Sequence, residues 1–264
     1  MTTLGWRDAP ASTYLVRNLR LSDLRHALRR GVEDFARKPS HLLFLGLLYP
    51  IAGIALALFT AGQNALYLLY PLMSGFVLLG PFAAIGLYEM SRRRERGEDP
   101  GWQSALEVLR TPALGSVLGL GALLAVIFIA WLVAAHSIYM FYFGEAPAAS
   151  YAAFFHQVFG TPSGLHMIVV GNIVGLVFAL AALSVSLFSF PLMLDRQVGL
   201  GVAVATSVRA VWSNLAVCLV WGLGVAALLL LGAAALFMGL AVMVPVLAHA
   251  TWHLYRRAIE PPQG

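Results

Sequence analysis

Six apolar stretches divide this chain, and every Lys and Arg lies in gaps of one parity. The stretches are roughly His41–Ala61, Leu66–Met90, Pro112–Met140, Gly164–Leu194, Asn214–Leu231 and Ala235–Tyr255. Eight of the 17 cationic residues precede the first stretch: Arg7, Arg17, Arg20, Arg25, Arg29, Arg30, Arg37 and Lys38. Arg92, Arg93, Arg94, Arg96 and Arg110 occupy the second gap, Arg196 and Arg209 the fourth, and Arg256 and Arg257 the tail. The first, third and fifth gaps hold none. Cytoplasmic loops of membrane proteins carry the excess of positive charge, so both termini are expected in the cytoplasm. A membrane span needs about 20 apolar residues, which these stretches approach or exceed.

Composition agrees. Hydrophobic residues make up 60% and charged residues 11%, against roughly 45–50% and about 25% in soluble chains. The expected fold is all-α: a polytopic membrane protein of six transmembrane helices in three hairpins, with interfacial amphipathic helices on the cytoplasmic side. Residues 1–38 form a cytoplasmic tail, 39–258 the membrane domain and 259–264 a short C-terminal tail. The net charge of +5 belongs beside helix ends, where anionic head groups lie, so the bilayer rather than nucleic acid is the expected partner. Other membrane proteins or a second copy of the chain are further candidate partners. The lone Cys218 is expected to pack within its span. Residues 1–38 lack the apolar core of a secretory signal, and Asp8, Asp23, Glu33 and Asp34 are too acidic for a transit peptide.

Ser22 reads as the N-cap of a basic amphipathic helix, with Leu24, Leu28, Val32 and Phe35 on its apolar face. A similar stripe, Trp102, Ala105, Leu106 and Leu109, precedes the third span, whose start reads as Thr111-Pro112. Val202, Ala205, Val208 and Trp212 form a third, weaker stripe before the fifth. Each unit is therefore an interfacial helix followed by a hairpin. The second helix of each hairpin contains a proline, Pro81, Pro191 or Pro245, and Pro50 lies in the first span. Each proline frees the carbonyl four residues earlier and favours a kink. Ser186 and Ser189 are placed to help satisfy the carbonyl freed by Pro191.

Along the fourth span Asn172, Gly175, Ala179, Ala182, Ser186 and Ser189 recur at three- and four-residue spacing. Small residues on one face let helices approach closely, so this stripe is expected to be a packing seam. A narrow polar pathway is the alternative. No Asp, Glu, Lys or Arg falls near the middle of a span, and intramembrane charges mark most ion relays. The polar groups gather instead at the cytoplasmic ends: Glu89, Asp195, His249 and His253 are expected to form a cluster. Glu89 is spaced to pair with Arg93 at i+4. His249 and His253 share a helical face, with His41 at similar depth, and imidazoles suit transition metals. The surrounding Trp252, Tyr255, Arg256 and Arg257 equally resemble an interfacial belt. His136, His156 and His166 lie with Trp131, Tyr139, Tyr142 and Tyr151 and read as the opposite belt. No cofactor is expected.

Three strings carry a resemblance. They are Gly80-Pro81-Phe82-Ala83-Ala84-Ile85-Gly86-Leu87-Tyr88-Glu89, Ser189-Phe190-Pro191-Leu192-Met193-Leu194-Asp195-Arg196, and Val244-Pro245 through Tyr255-Arg256. Together they resemble the bacterial integral membrane proteins grouped as domain of unknown function 2189, over about residues 20 to 258. The resemblance implies a six-helix protein of the bacterial inner membrane and supplies no activity. The leading functional expectation is a non-enzymatic assembly, lipid-organising or accessory factor. A transporter or small-solute channel is the alternative, and a metal- or haem-binding redox component the third.

Overall fold

The computed structural model describes residues 14–37, 67, 69–101, 104, 107–144, 151–234 and 238–260. The first expected span, with His41 and Pro50, lies outside the described residues, as does most of the 102–109 stripe. The elements are β1 (Leu15–Val16), α1 (Leu21–Arg37), α2 (Leu69–Glu95), a 3-10 turn (Glu107–Arg110), α3 (Leu114–Phe143), α4 (Tyr151–Phe159), α5 (Pro162–Ser186), α6 (Ser189–Arg196), α7 (Leu200–Ser213), α8 (Leu215–Ala234), α9 (Leu240–Ala258) and β2 (Ile259–Glu260).

Among the described residues three helical runs are long and apolar enough to cross a membrane: Leu114–Phe143, Pro162–Arg196 and Leu215–Ala234. The 30 residues of α3 reach about 45 Å at 1.5 Å each, beyond the roughly 30 Å of bilayer hydrocarbon. Large apolar side chains point outward along all three, among them Val126, Ile129, Val133, Ile173, Val177, Leu223 and Leu230. Such continuous apolar surface is stable in lipid and costly in water.

The chain clusters into two compact units. One contains 51–78 and 123–182. Within it, Trp131 of α3 donates its indole N–H to the carbonyl of Pro71 at 3.3 Å and lies beside Phe178 of α5. Tyr67 stacks on Tyr139 at 4.3 Å and its hydroxyl meets His136 Nδ1 at 3.0 Å. The start of α5 is capped by Thr161, whose Oγ accepts from the Gly164 N–H, with Pro162 at the first helical position.

The other unit contains 1–50, 79–122 and 183–264, and α9 is its centre. Fifteen of the 19 residues of α9 are buried, so its polar residues need partners inside the protein. The first and last described segments meet here: β1 pairs antiparallel with β2, Leu15 opposite Glu260 and Val16 opposite Ile259. Arg17 and Glu260 form an ion pair across the two strands. Asn214 pins the segment that follows, accepting from the Leu19 N–H at 2.6 Å and donating to the Arg17 carbonyl at 3.0 Å.

Several local expectations shift. Helix α1 begins at Leu21, and Ser22 lies inside it. The cap is made by Asp23, whose carboxylate accepts from the Arg20 N–H at 2.8 Å. Its buried face is Leu24, Ala27, Gly31 and Asp34, turned away from Val32, which is 51% exposed. On α7 the buried face is Ala203, Thr206, Ser207, Ala210 and Val211, while Ala205 and Trp212 are exposed. In both helices small or polar residues face a packed neighbour, which period-3.6 hydrophobicity alone does not register. Helix α3 starts two residues after Pro112, and the Thr111 hydroxyl donates backward to the Val108 carbonyl at 2.8 Å.

The prolines behave differently from one another. Helix α2 runs unbroken through Pro81, and α9 contains Pro245. At Pro191 the helical run breaks, with Leu187 and Phe188 between α5 and α6. Ser207 of α7 explains the break. Its hydroxyl donates to the Ser184 carbonyl at 2.8 Å and accepts from the Phe188 N–H at 3.2 Å. One side chain thus replaces an i→i−4 bond, a recognised cause of helix kinks. Ser189 donates to the Val185 carbonyl at 2.6 Å, not to the Leu187 carbonyl that Pro191 frees.

Candidate functional site

The densest set of buried polar groups lies where α1, α2 and α9 meet. Helix α1 comes close to α9 because Gly31 has no side chain: a Cβ there would lie 2.6 Å from the Val246 carbonyl oxygen and 2.7 Å from the Ala250 nitrogen. One turn on, the short side chain of Asp34 therefore reaches groups on both other helices. Its Oδ2 accepts from Ser91 Oγ at 2.8 Å and lies 2.9 Å from His253 Nε2. Arg94 lies 3.3 Å from Oδ1 and also donates to the Asp34 main-chain carbonyl. Ser91 Oγ sits 2.7 Å from His249 Nδ1.

Proton bookkeeping assigns the donors. An ionised carboxylate only accepts, so His253 Nε2 carries the proton shared with Asp34. Ser91 has one proton, directed to Asp34, so His249 Nδ1 donates to the Ser91 oxygen. Burial by itself raises the pKa of Asp34. The hydrogen bonds from His253 and Ser91, with the adjacent imidazoles of His249 and His253, outweigh it and hold the carboxyl well below the usual value.

A second set continues outward. Glu95 lies 3.7 Å from His253 Nδ1 and 3.1 Å from Arg256. Arg256 reaches Asp195 at 3.4 Å, and Asp195 accepts from the Tyr255 hydroxyl at 2.8 Å. Its neighbour Arg196 also pairs with it at 3.1 Å, although successive residues point apart along a helix. Glu89, 2% exposed, is held by Arg92 through two 2.7 Å hydrogen bonds and by Arg93 at 2.8 Å. Arg93 is also bound to Glu107.

His249 and His253 thus join one network with Asp34, and Asp195 connects to it through Arg256 and Glu95. Glu89 sits in a neighbouring arginine clamp. Among the described residues no three His, Cys, Asp or Glu are placed to hold a metal. His253 Nε2 and His249 Nδ1 are both committed as donors, so neither nitrogen offers a lone pair there.

The fourth-span stripe is unevenly buried. Ala182 and Ser189 are buried, Gly175 and Ser186 half-buried, Asn172 and Ala179 exposed. Gly175 lies under Trp131, whose ring would be 3.2 Å from an added Cβ. Asn172 turns back to donate to the Ile168 carbonyl at 2.7 Å.

Asp34, Ser91, Arg94 and Glu95 are the participants that sequence reasoning passed over. A signal for Asp34 exists: it continues the Leu24, Ala27, Gly31 spacing, an acid on a face of small residues.

A family model described as a predicted integral membrane protein, domain of unknown function 2189, matches residues 69–195. Over that segment, just under half of the chain, the sequence is similar to this family. The matched segment contains the Gly80–Glu89 and Ser189–Asp195 strings, together with Ser91, Arg94 and Glu95. Asp34, His249 and His253 lie outside it. No curated protein and no solved structure matches the chain.

Proposed function

We propose that this chain is a non-enzymatic, six-span protein of the bacterial inner membrane with both termini in the cytoplasm. In it the Asp34–Ser91–His249–His253 network locks α1 onto the spanning helices. The role is that of an assembly, lipid-organising or accessory factor. The observation carrying this reading is where the Asp34 bonds end. An acid from the N-terminal segment is the common acceptor for α2 and α9, so the network ties the segment before the first span to the last. Ser91 is fully buried and its hydroxyl donates to the Asp34 carboxylate, so it is closed off from solvent as a member of the network. The β1–β2 pair supports an even number of crossings, because it keeps the two chain ends on one side.

Asp34→Asn and His253→Ala test the lock. Both are expected to lower the midpoint of thermal unfolding in detergent and the yield of monodisperse protein. Wild-type stability in both variants, with loss of a copurifying small molecule, would replace the lock with a ligand site.

A further inference from the structure

Helices α1, α8 and α9 enclose a groove of about 300 Å³, at the lower end of the roughly 300–1,000 Å³ of small-ligand sites. Its walls are apolar: Leu24 and Leu28 of α1 face Trp221, Gly224 and Leu228 of α8. Arg25 is the one charged residue among those lining it.

Two features give the groove an occupant. The first is Gly224. Among the described residues a Cβ there would meet nothing within 4 Å, so the glycine leaves open space along an apolar helix. The second is Arg25. Arg29 and Arg30 both pair with Glu33, whereas Arg25 is exposed and has no ion-pair partner among the described residues. An exposed guanidinium with no ion-pair partner among the described residues, at the mouth of an apolar groove, is complementary to one molecule that a membrane supplies: a lipid with an anionic phosphate and a long acyl chain.

We propose that the α1–α8–α9 groove binds one acyl chain of an anionic phospholipid, with Arg25 on its phosphate. The site is independent of the ionic lock, since neither Arg25 nor Gly224 takes part in it. Trp221 is buried in the groove wall and reports occupancy.

The full chain, purified in detergent and stripped of lipid, is titrated with phosphatidylglycerol or phosphatidylcholine carrying brominated acyl chains, which quench nearby tryptophan. The Trp221 signal is taken as the difference from matched Trp221→Phe proteins. Phosphatidylglycerol is expected to half-saturate quenching at about fivefold lower mole fraction, the ratio that one arginine supplies at an anionic surface. Arg25→Gln should make the two lipids equal. Gly224→Phe should abolish the Trp221 quenching by filling the groove. Equal half-saturation in the wild type, or undiminished quenching in folded Gly224→Phe, overturns the proposal. Arg25→Gln changes an exposed side chain, so it decides the matter even if Gly224→Phe does not fold; lipid preference unaltered by it also overturns the site.

Discussion

Asp34 is ionised and almost wholly buried, a combination that is stable only while its partners stay in place. Removing one member of a buried ionic set costs about 3 kcal/mol, and Asp34→Asn is expected to lower stability by that order. The dependence on pH follows from the sign of the shift. Its folded pKa is depressed below the unfolded value of about 3.9. Its contribution is therefore present above that value and fades as pH falls below it. The gap in unfolding midpoint between wild type and Asp34→Asn should be widest above about pH 5 and narrow below about pH 4. A gap independent of pH would mean that the charge of Asp34 is not what stabilises the site. Gly31→Ala probes the same place through sterics: its methyl meets the Val246 carbonyl, and overpacking of this kind costs about 1–3 kcal/mol. Wild-type stability in Gly31→Ala would show that α1 does not sit so close to α9.

At the scale of elements, the fourth expected span is two helices, and the hydroxyl of Ser207 occupies the join. Ser207→Ala leaves the Phe188 N–H and the Ser184 carbonyl to each other or to nothing. The expected loss is about 1 kcal/mol, measured by thermal unfolding, and Ser207→Thr should recover part of it by restoring the hydroxyl. The same span separates two glycine-or-alanine positions that sequence spacing treats alike. Gly175→Leu drives a side chain into Trp131 and should cost about 1–3 kcal/mol. Ala179→Leu, on an exposed surface, should be close to neutral, as should Leu180→Phe on the other face. Equal losses in Gly175→Leu and Ala179→Leu would show that both positions are packed in the membrane.

For the molecule as a whole, orientation is the testable property. Reporters active in the cytoplasm should work when fused after Gly97, Gly199 or Gly264, and periplasmic reporters near Gln63, Ala148 or Gly232. A periplasmic signal from the C-terminal fusion would break the alternation of charge on which the expectation of six spans rests. What was legible in the sequence is what the solvent decides. Apolar runs as long as a bilayer, the gaps that carry arginine, and the helical character of α1, α3, α7 and α8 each follow from a short window of residues and its transfer into lipid or water. Tertiary structure alone decided which face of α1 and α7 is buried, which side chain fills the helix break before Pro191, and which groups satisfy Asp34. The reason is distance along the chain. Asp34 meets Ser91 and His253 across 57 and 219 residues, and Ser207 meets Ser184 across 23. A periodic pattern shows that a polar group lies on a helix; only the packing of one backbone against another brings it a partner within hydrogen-bonding reach.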